Sequence, residues 1–213
     1  MTANSDYRVQ DKRKSRKILR LPDYDYSQPG AYFITIVTQG RRCIFGNIED
    51  GILQLSEYGL IAKTIWEKLP DRFTNIICDV FIIMPNHIHG IIEIVAAGFT
   101  PANERFNLVA AGFTPAEKES SPAINNSHQI KSRQPQGLPL QETVGEIVGA
   151  YKSLVSRECL KVFKARNEIM GKLWQRNYYE HAIRNEQDYE AIIDYIEANP
   201  RNWELDEEYI RPM

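Results

Sequence analysis

The sequence predicts an α+β fold, an antiparallel sheet with helices packed on it. Three observations lead there. Short runs rich in β-branched and aromatic residues are bounded by turn residues, which marks strands. Longer stretches bring their apolar residues round to one side at helical spacing. The two kinds follow one another as strands, helix, central strands and then two helices, without the regular alternation of a parallel sheet. The 213 residues are 43% hydrophobic and 25% charged, enough for a real core, which excludes collagen-like, mucin-like and wholly disordered chains.

Taken in order, the first twenty residues form a basic arm. Arg8, Lys12, Arg13, Lys14, Arg16, Lys17 and Arg20 outweigh Asp6 and Asp11; such an arm is either a solvated leader or a segment that lies on phosphates. AYFITIV at Ala31–Val37 reads as a strand, closed by a turn at Gln39-Gly40. Ile44-Phe45 and Ile52–Leu55 flank Asp50-Gly51, a hairpin signal. Ser56 is placed to cap a helix whose apolar side is Leu60, Ile61, Ile65, Trp66 and Leu69, ending before Pro70. Two apolar runs, Ile76–Met84 and Ile88–Val95, read as an antiparallel pair in mid-sheet around Pro85-Asn86.

The pattern then breaks. VAAGFTPA occurs at Val95–Ala102 and again at Val109–Ala116, and a Ser/Asn/Gln/Pro-rich stretch follows, so 96–138 reads as a flexible insertion. Order resumes with a helix from Leu140 to about Phe163. A tight segment, Leu173–Arg184, leads into a last helix with Tyr189, Ile192, Ile193 and Ile196 on one side, ended at Asn199 by Pro200. Glu204, Asp206, Glu207 and Glu208 make an acidic finish. The division is a basic arm (1–20), a domain (21–203) carrying the insertion, and an acidic tail (204–213).

A net charge of −2 gives no global attraction to nucleic acid, so any such attraction is local. Three scattered cysteines, Cys43, Cys78 and Cys159, argue against a disulfide framework and a metal knuckle. The most apolar window, Ile76–Phe99, carries Asp79, Asn86, His87, His89 and Glu93, which excludes a membrane span there. With no basic-then-apolar opening, the expectation is a soluble cytoplasmic protein.

The chemistry-bearing residues are few. His87-Ile88-His89 lies on a predicted central strand, where positions two apart face the same way about 6.5–7 Å apart. Two imidazoles so placed can converge on one cation, or can simply be half-buried histidines with ordinary hydrogen bonds. Tyr195 and Asn199, four apart on the last helix, stack beside its apolar stripe. A phenol next to a carboxamide suits a nucleophile adjoining a metal ligand, or a rim aromatic near a helix end. Gly145–Ser153 lacks the spacing of a phosphate loop, and neither HExxH nor GxSxG occurs. Lys152 belongs to a basic helix side. Trp174, Arg176, Tyr178 and Tyr179 mix aromatic and cationic groups that can stack on single-stranded nucleic acid or pack a loop.

MPNHIHGII at Met84–Ile92, WQRNYYEHAIRNE at Trp174–Glu186, DYIEANP at Asp194–Pro200 and the opening RLPDYDYSQPGAYFITIVTQGR at Arg20–Arg41 resemble the REP-associated tyrosine transposases. These are HUH-type single-tyrosine nucleases akin to insertion-sequence-200-like transposases. The resemblance implies a ferredoxin-like, split βαβ palm. His87 and His89 match the HUH pair, Tyr195 the catalytic tyrosine, and Asn199 the polar residue that completes the metal site. It implies Mg²⁺ or Mn²⁺, a 5′-phosphotyrosine intermediate, single-stranded hairpin DNA from repetitive palindromic elements, and a monomer or a homodimer. Arg13, Arg16, Arg41, Arg42, Lys152, Trp174, Arg176 and Arg184 are the candidates for holding that DNA. The competing expectation is a catalytically idle, domesticated nucleic-acid-binding regulator on the same scaffold.

Overall fold

The structure, a computed structural model, describes residues 28–95 and 142–210. The arm with Arg13 and Arg16, the insertion 96–138 and the last three residues of the acidic tail lie outside the described residues. In chain order the elements are β1 (Gly30–Val37), β2 (Gly46–Glu49), β3 (Ile52–Leu55), α1 (Glu57–Glu67), α2 (Leu69–Arg72), β4 (Ile76–Ile83), β5 (His87–Ile94), α3 (Val144–Ala165), β6 (Tyr179–Ala182) and α4 (Glu186–Ala198). Short 3₁₀ turns occupy Gln39–Arg41 and Trp203–Leu205. No helix among the described residues is long and apolar enough to cross a membrane.

Four strands form one sheet in the order β4-β5-β1-β6, antiparallel at every pairing, while β2 and β3 pair separately. With α1 and α3 in the two crossovers, this is the expected ferredoxin-like split βαβ arrangement. Alternation along the strands assigns the two faces. Tyr32, Ile34 and Ile36 of β1 and Ile88, Ile92 and Ile94 of β5 turn to the main core, where Ala62 and Trp66 of α1 and Val148, Tyr151 and Val155 of α3 cover them. The other face holds a smaller cluster, Ala31, Phe33, Ile91 and Ile183, beneath Ile196 of α4. Gly90 has a packing reason: a Cβ there would lie 2.4 Å from Cζ2 of the buried Trp66 ring.

The helix starts follow their caps. Ser56 accepts from Gly59 N, and Thr143 forms a capping box with Glu146 that opens α3. Three local expectations are corrected. The first hairpin strand begins at Gly46 instead of Ile44-Phe45, because the Phe45 backbone bonds Pro85 O and Ser56 N while its ring is buried against Trp174. Pro70 does not simply end the helix; it sits in the first turn of α2, where its missing N–H costs nothing. Within Leu173–Arg184, Tyr179–Ala182 is the fourth strand, paired to β1 alone.

Candidate active site

His87 and His89 lie on the α4-facing side of β5, with Ile88 turned into the main core. Both imidazoles are buried. Their surroundings fix where the protons sit. Asn86 Nδ2 donates to Glu208 O at 2.8 Å and to Arg41 O at 3.3 Å, which turns Asn86 Oδ1 towards His87 Nδ1 at 2.8 Å. An amide oxygen only accepts, so His87 Nδ1 carries the proton and Nε2 presents a lone pair. That lone pair faces His89 Nε2 at 2.8 Å.

Across the His89 ring, Nδ1 meets Oγ1 of Thr35, its cross-strand partner, at 2.8 Å, and a hydroxyl can donate or accept. The two Nε2 atoms therefore share one proton, or, with Thr35 accepting, both turn lone pairs to one cation. Adjacent ligands of an octahedral ion bound at about 2.1 Å stand about 3 Å apart, close to this separation. Burial, and then the neighbouring His89, lower the His87 pKa, which keeps the ring neutral and fit to ligate.

The last helix meets this pair from above. Tyr195 stands edge-on to both Phe33 and His89, and its hydroxyl lies 3.3 Å from His89 Nε2. Phe33 in turn stacks on the His89 ring at 5.4 Å. Burial, and then the carboxylate of Asp206, push the Tyr195 phenol up to about 12, while the Asn199 side chain bonding to it works in the opposite direction. Asn199 caps the C-terminus of α4 and is buried, yet its Oδ1 has no hydrogen-bond partner. An orphaned buried carbonyl oxygen costs about 1–3 kcal/mol, a cost removed if it ligates a cation. Two imidazoles and an amide oxygen are donors that a divalent metal accepts.

Asp206 was not foreseen as part of this site. Its Oδ2 lies 3.2 Å from the Tyr195 hydroxyl, 3.7 Å from His89 Nε2 and 3.9 Å from His87 Nε2, so that His87, His89 and Asp206 could themselves hold an ion. Burial alone would raise its carboxyl, but the His89 bond and the nearby His87 ring hold it below the usual carboxylate range. The turn that carries it also lays Trp203 over the His87 ring. The acidic run at 204–208 was legible, but nothing in it distinguishes Asp206 from its neighbours. Asn86 and Thr35, which orient the imidazoles, were likewise not singled out.

The candidate DNA-binding residues separate into two kinds. Arg41, Arg176 and Arg184 are exposed, and Arg41 pairs with Glu208 at the edge of the site. Arg42 and Lys152 are tied to backbone carbonyls, Arg42 to Met170 and Lys172 and Lys152 to Gln175 and Arg176. Trp174 corrects an expectation. It is buried in the main core, with its indole N–H donating to Lys152 O, and so presents no face for a base to stack on.

No family model matches the chain. A Haemophilus influenzae protein of uncharacterised function is 34% identical over 195 residues, covering 92% of this chain and 93% of its own length. A second protein of that organism, named as a REP-associated tyrosine transposase, is 26% identical over 177 residues, covering 83% and 73%. A solved REP-associated tyrosine transposase bound to a REP hairpin superposes with a TM-score of 0.50 at 17% identity, covering 84% of this chain and 72% of that one, and so shares the fold. The sheet order, the shared fold and the named relative agree: the chain is similar to the REP-associated tyrosine transposases, a likeness that supports a transposase-like function.

Proposed function

We propose that the protein is a metal-dependent DNA endonuclease and strand transferase that cuts and rejoins single-stranded hairpin DNA through a 5′-phosphotyrosine at Tyr195. One observation carries the reading. Within a single chain the Tyr195 hydroxyl stands 3.3 Å from His89 Nε2, which itself faces His87 Nε2 at 2.8 Å. Mg²⁺ or Mn²⁺, held by His87, His89 and Asn199, would polarise the scissile phosphate and offset the charge that develops on it. The oxygens of Asn199 and Asp206 favour such hard ions over the Zn²⁺ that imidazoles alone would accept.

The chain's own groups do the rest. Asp206 Oδ2, 3.2 Å from the phenol, accepts its proton as the Tyr195 oxygen attacks phosphorus. The bond from phosphorus to the 3′ oxygen breaks, and that oxygen takes up a proton and leaves as a hydroxyl. The phosphodiester is exchanged for a phosphotyrosine ester, so rejoining by a 3′-hydroxyl needs no nucleotide hydrolysis. Arg41 would trade Glu208 for a backbone phosphate, and the exposed Arg176 and Arg184, with Arg13 and Arg16 of the arm, would hold the flanking strand. Since the groups meet within one chain, the tyrosine would act on the site of its own subunit.

The test is a hairpin-bearing single-stranded DNA incubated with Mn²⁺ and either the native protein or Tyr195→Phe. A covalent protein–DNA adduct on a denaturing gel with the native protein alone is the expected result. Binding by both proteins and an adduct with neither would make the chain a binding module and overturn the reading.

A further inference from the structure

The geometry of Tyr195 depends on how α4 is seated, and apolar packing seats it weakly. Of its residues only Ile196 is fully buried, while Tyr189, Ile192 and Ile193 are half-buried against the small cluster on that face. Polar ties supply the rest. Asp188, in the first turn, accepts from His181 Nε2 at 3.0 Å and from Arg184 N at 3.1 Å, which anchors the helix start to β6. One residue further on, the Tyr189 hydroxyl reaches down to the sheet, within hydrogen-bonding distance of the Asp79 carboxyl and, at 2.8 Å, of Glu93 Oε1, and donates its one proton to either of them.

Asp79 is the one charged residue of β4, and Glu93 shares β5 with His87 and His89 among otherwise apolar residues. Glu93 is buried at the end of the row His87, His89, Ile91, Glu93 on the α4-facing side of β5. Asp79 lies two residues after Ile77, the cross-strand partner of Glu93, so strand alternation puts it on the same side, next to the register shift between Cys78 and Phe81. Burial and the two carboxyls raise the Tyr189 pKa, so the hydroxyl keeps the proton it donates. A phenol held between two strands restrains both the tilt and the rotation of its helix. Tyr195 is six residues on, about 9 Å along the axis, and Asn199 about 15 Å. A small error in seating is magnified over that length, and a shift of about 1 Å at a reacting atom costs about a hundredfold in rate.

We propose that Tyr189, held between Asp79 and Glu93, is a positioning residue that seats the tyrosine helix so that Tyr195 and Asn199 reach His87 and His89. The proposal rests on the reading of Tyr195 as the nucleophile. Its test compares Tyr189→Phe, which keeps the ring and loses the hydroxyl, with Glu93→Gln, which keeps an acceptor for it. Amide hydrogen exchange is followed in the DNA-free protein, and adduct formation in single turnover with Mn²⁺.

In Tyr189→Phe, exchange within 190–198 speeds up by about tenfold while β1 and β5 stay as protected as in the native protein. Adduct formation slows by about tenfold or more with the DNA Kd unchanged, whereas the Glu93→Gln protein retains most of the native protection and rate. Unchanged exchange in α4 of Tyr189→Phe overturns the proposal. So does faster exchange spread evenly over the sheet, or an adduct rate within about twofold of native when α4 has loosened. If the native protein forms no adduct, the nuclease reading fails, and the exchange result still decides whether Tyr189 seats the helix.

Discussion

Replacing Asn86 by alanine tests the site at the point where its proton arrangement is set. Asn86 is fully buried and makes three side-chain hydrogen bonds, two from Nδ2 to the carbonyls of Arg41 and Glu208 and one from His87 Nδ1 to its Oδ1. Alanine removes all three. The His87 ring is then free to carry its proton on Nε2, the nitrogen that faces His89, and so to lose the lone pair a cation needs. Losing such an orienting partner weakens metal binding by about 10–100-fold. The two carbonyls and the Nδ1 edge of the buried ring left without a partner cost about 1–3 kcal/mol of stability, or about 2–12 °C in Tm for a chain of this size.

The assay is Mn²⁺ titration followed by electron paramagnetic resonance of the free ion, with thermal unfolding of the metal-free protein alongside. The expected pattern is a cooperative transition lowered by several degrees together with a fall of at least about tenfold in affinity. Affinity within about threefold of native in a folded Asn86→Ala protein would refute the reasoning, because His87 would then need no partner to present its lone pair.

Gly90→Ala is expected to destabilise by about 1–3 kcal/mol, because its Cβ would lie 2.4 Å from Trp66 Cζ2; urea melts should show part of the loss recovered when Trp66→Phe is added. Asp206→Asn should bring the Tyr195 phenol down from about 12 by about one unit or more, the effect of removing a charge 3.2 Å away at a half-exposed site. Absorbance at ~295 nm, with Tyr195→Phe subtracted, reads this as the rise of phenolate with pH. His87 gives an acid effect. Its folded-state pKa is depressed, so the stability it contributes is complete above about pH 6.5 and falls away as pH drops below that, by up to about 2 kcal/mol at pH 5. Urea midpoints in chelator should therefore fall between pH 7.5 and 5, and His87→Gln should flatten that slope; an unchanged slope would show that the ring is not held neutral.

The parts of this molecule legible in the sequence are those whose side chains face a core. Ala31–Val37, Ile76–Met84 and Ile88–Val95 sit within a residue or so of β1, β4 and β5, because apolar faces leave their mark on the chain. Strand β6 left none. It has four residues, lies at the sheet edge, and turns only Glu180 and the small Ala182 to the side that Ile34 and Tyr32 face. At the site, His87, His89, Tyr195 and Asn199 could be paired because strand and helix periods are local rules. Asp206 reaches them only because the 3₁₀ turn at Trp203–Leu205 folds the chain back, and no local period encodes that return.

The alternation that makes β5 readable also ties the site to the core. Ile88, Gly90 and Ile92 face one way and His87, His89 and Ile91 the other, so a slip of one residue would bury the imidazoles in the main core and expose isoleucines to α4. Hydrophobicity alone guards against that slip only in part, since Ile91 would fit either side. The Gly90–Trp66 contact does more, because an indole lying 2.4 Å from the position of a Cβ accepts glycine at that place and no neighbour of it. Trp66 is itself fixed by Phe81 stacked on one side and Tyr151 edge-on, from β4 and α3. The face that folds the protein thus sets the register of the face that carries the chemistry. Helix α4, which belongs to neither crossover, can be held lightly by Asp188 and Tyr189 without putting the placement of the histidines at risk.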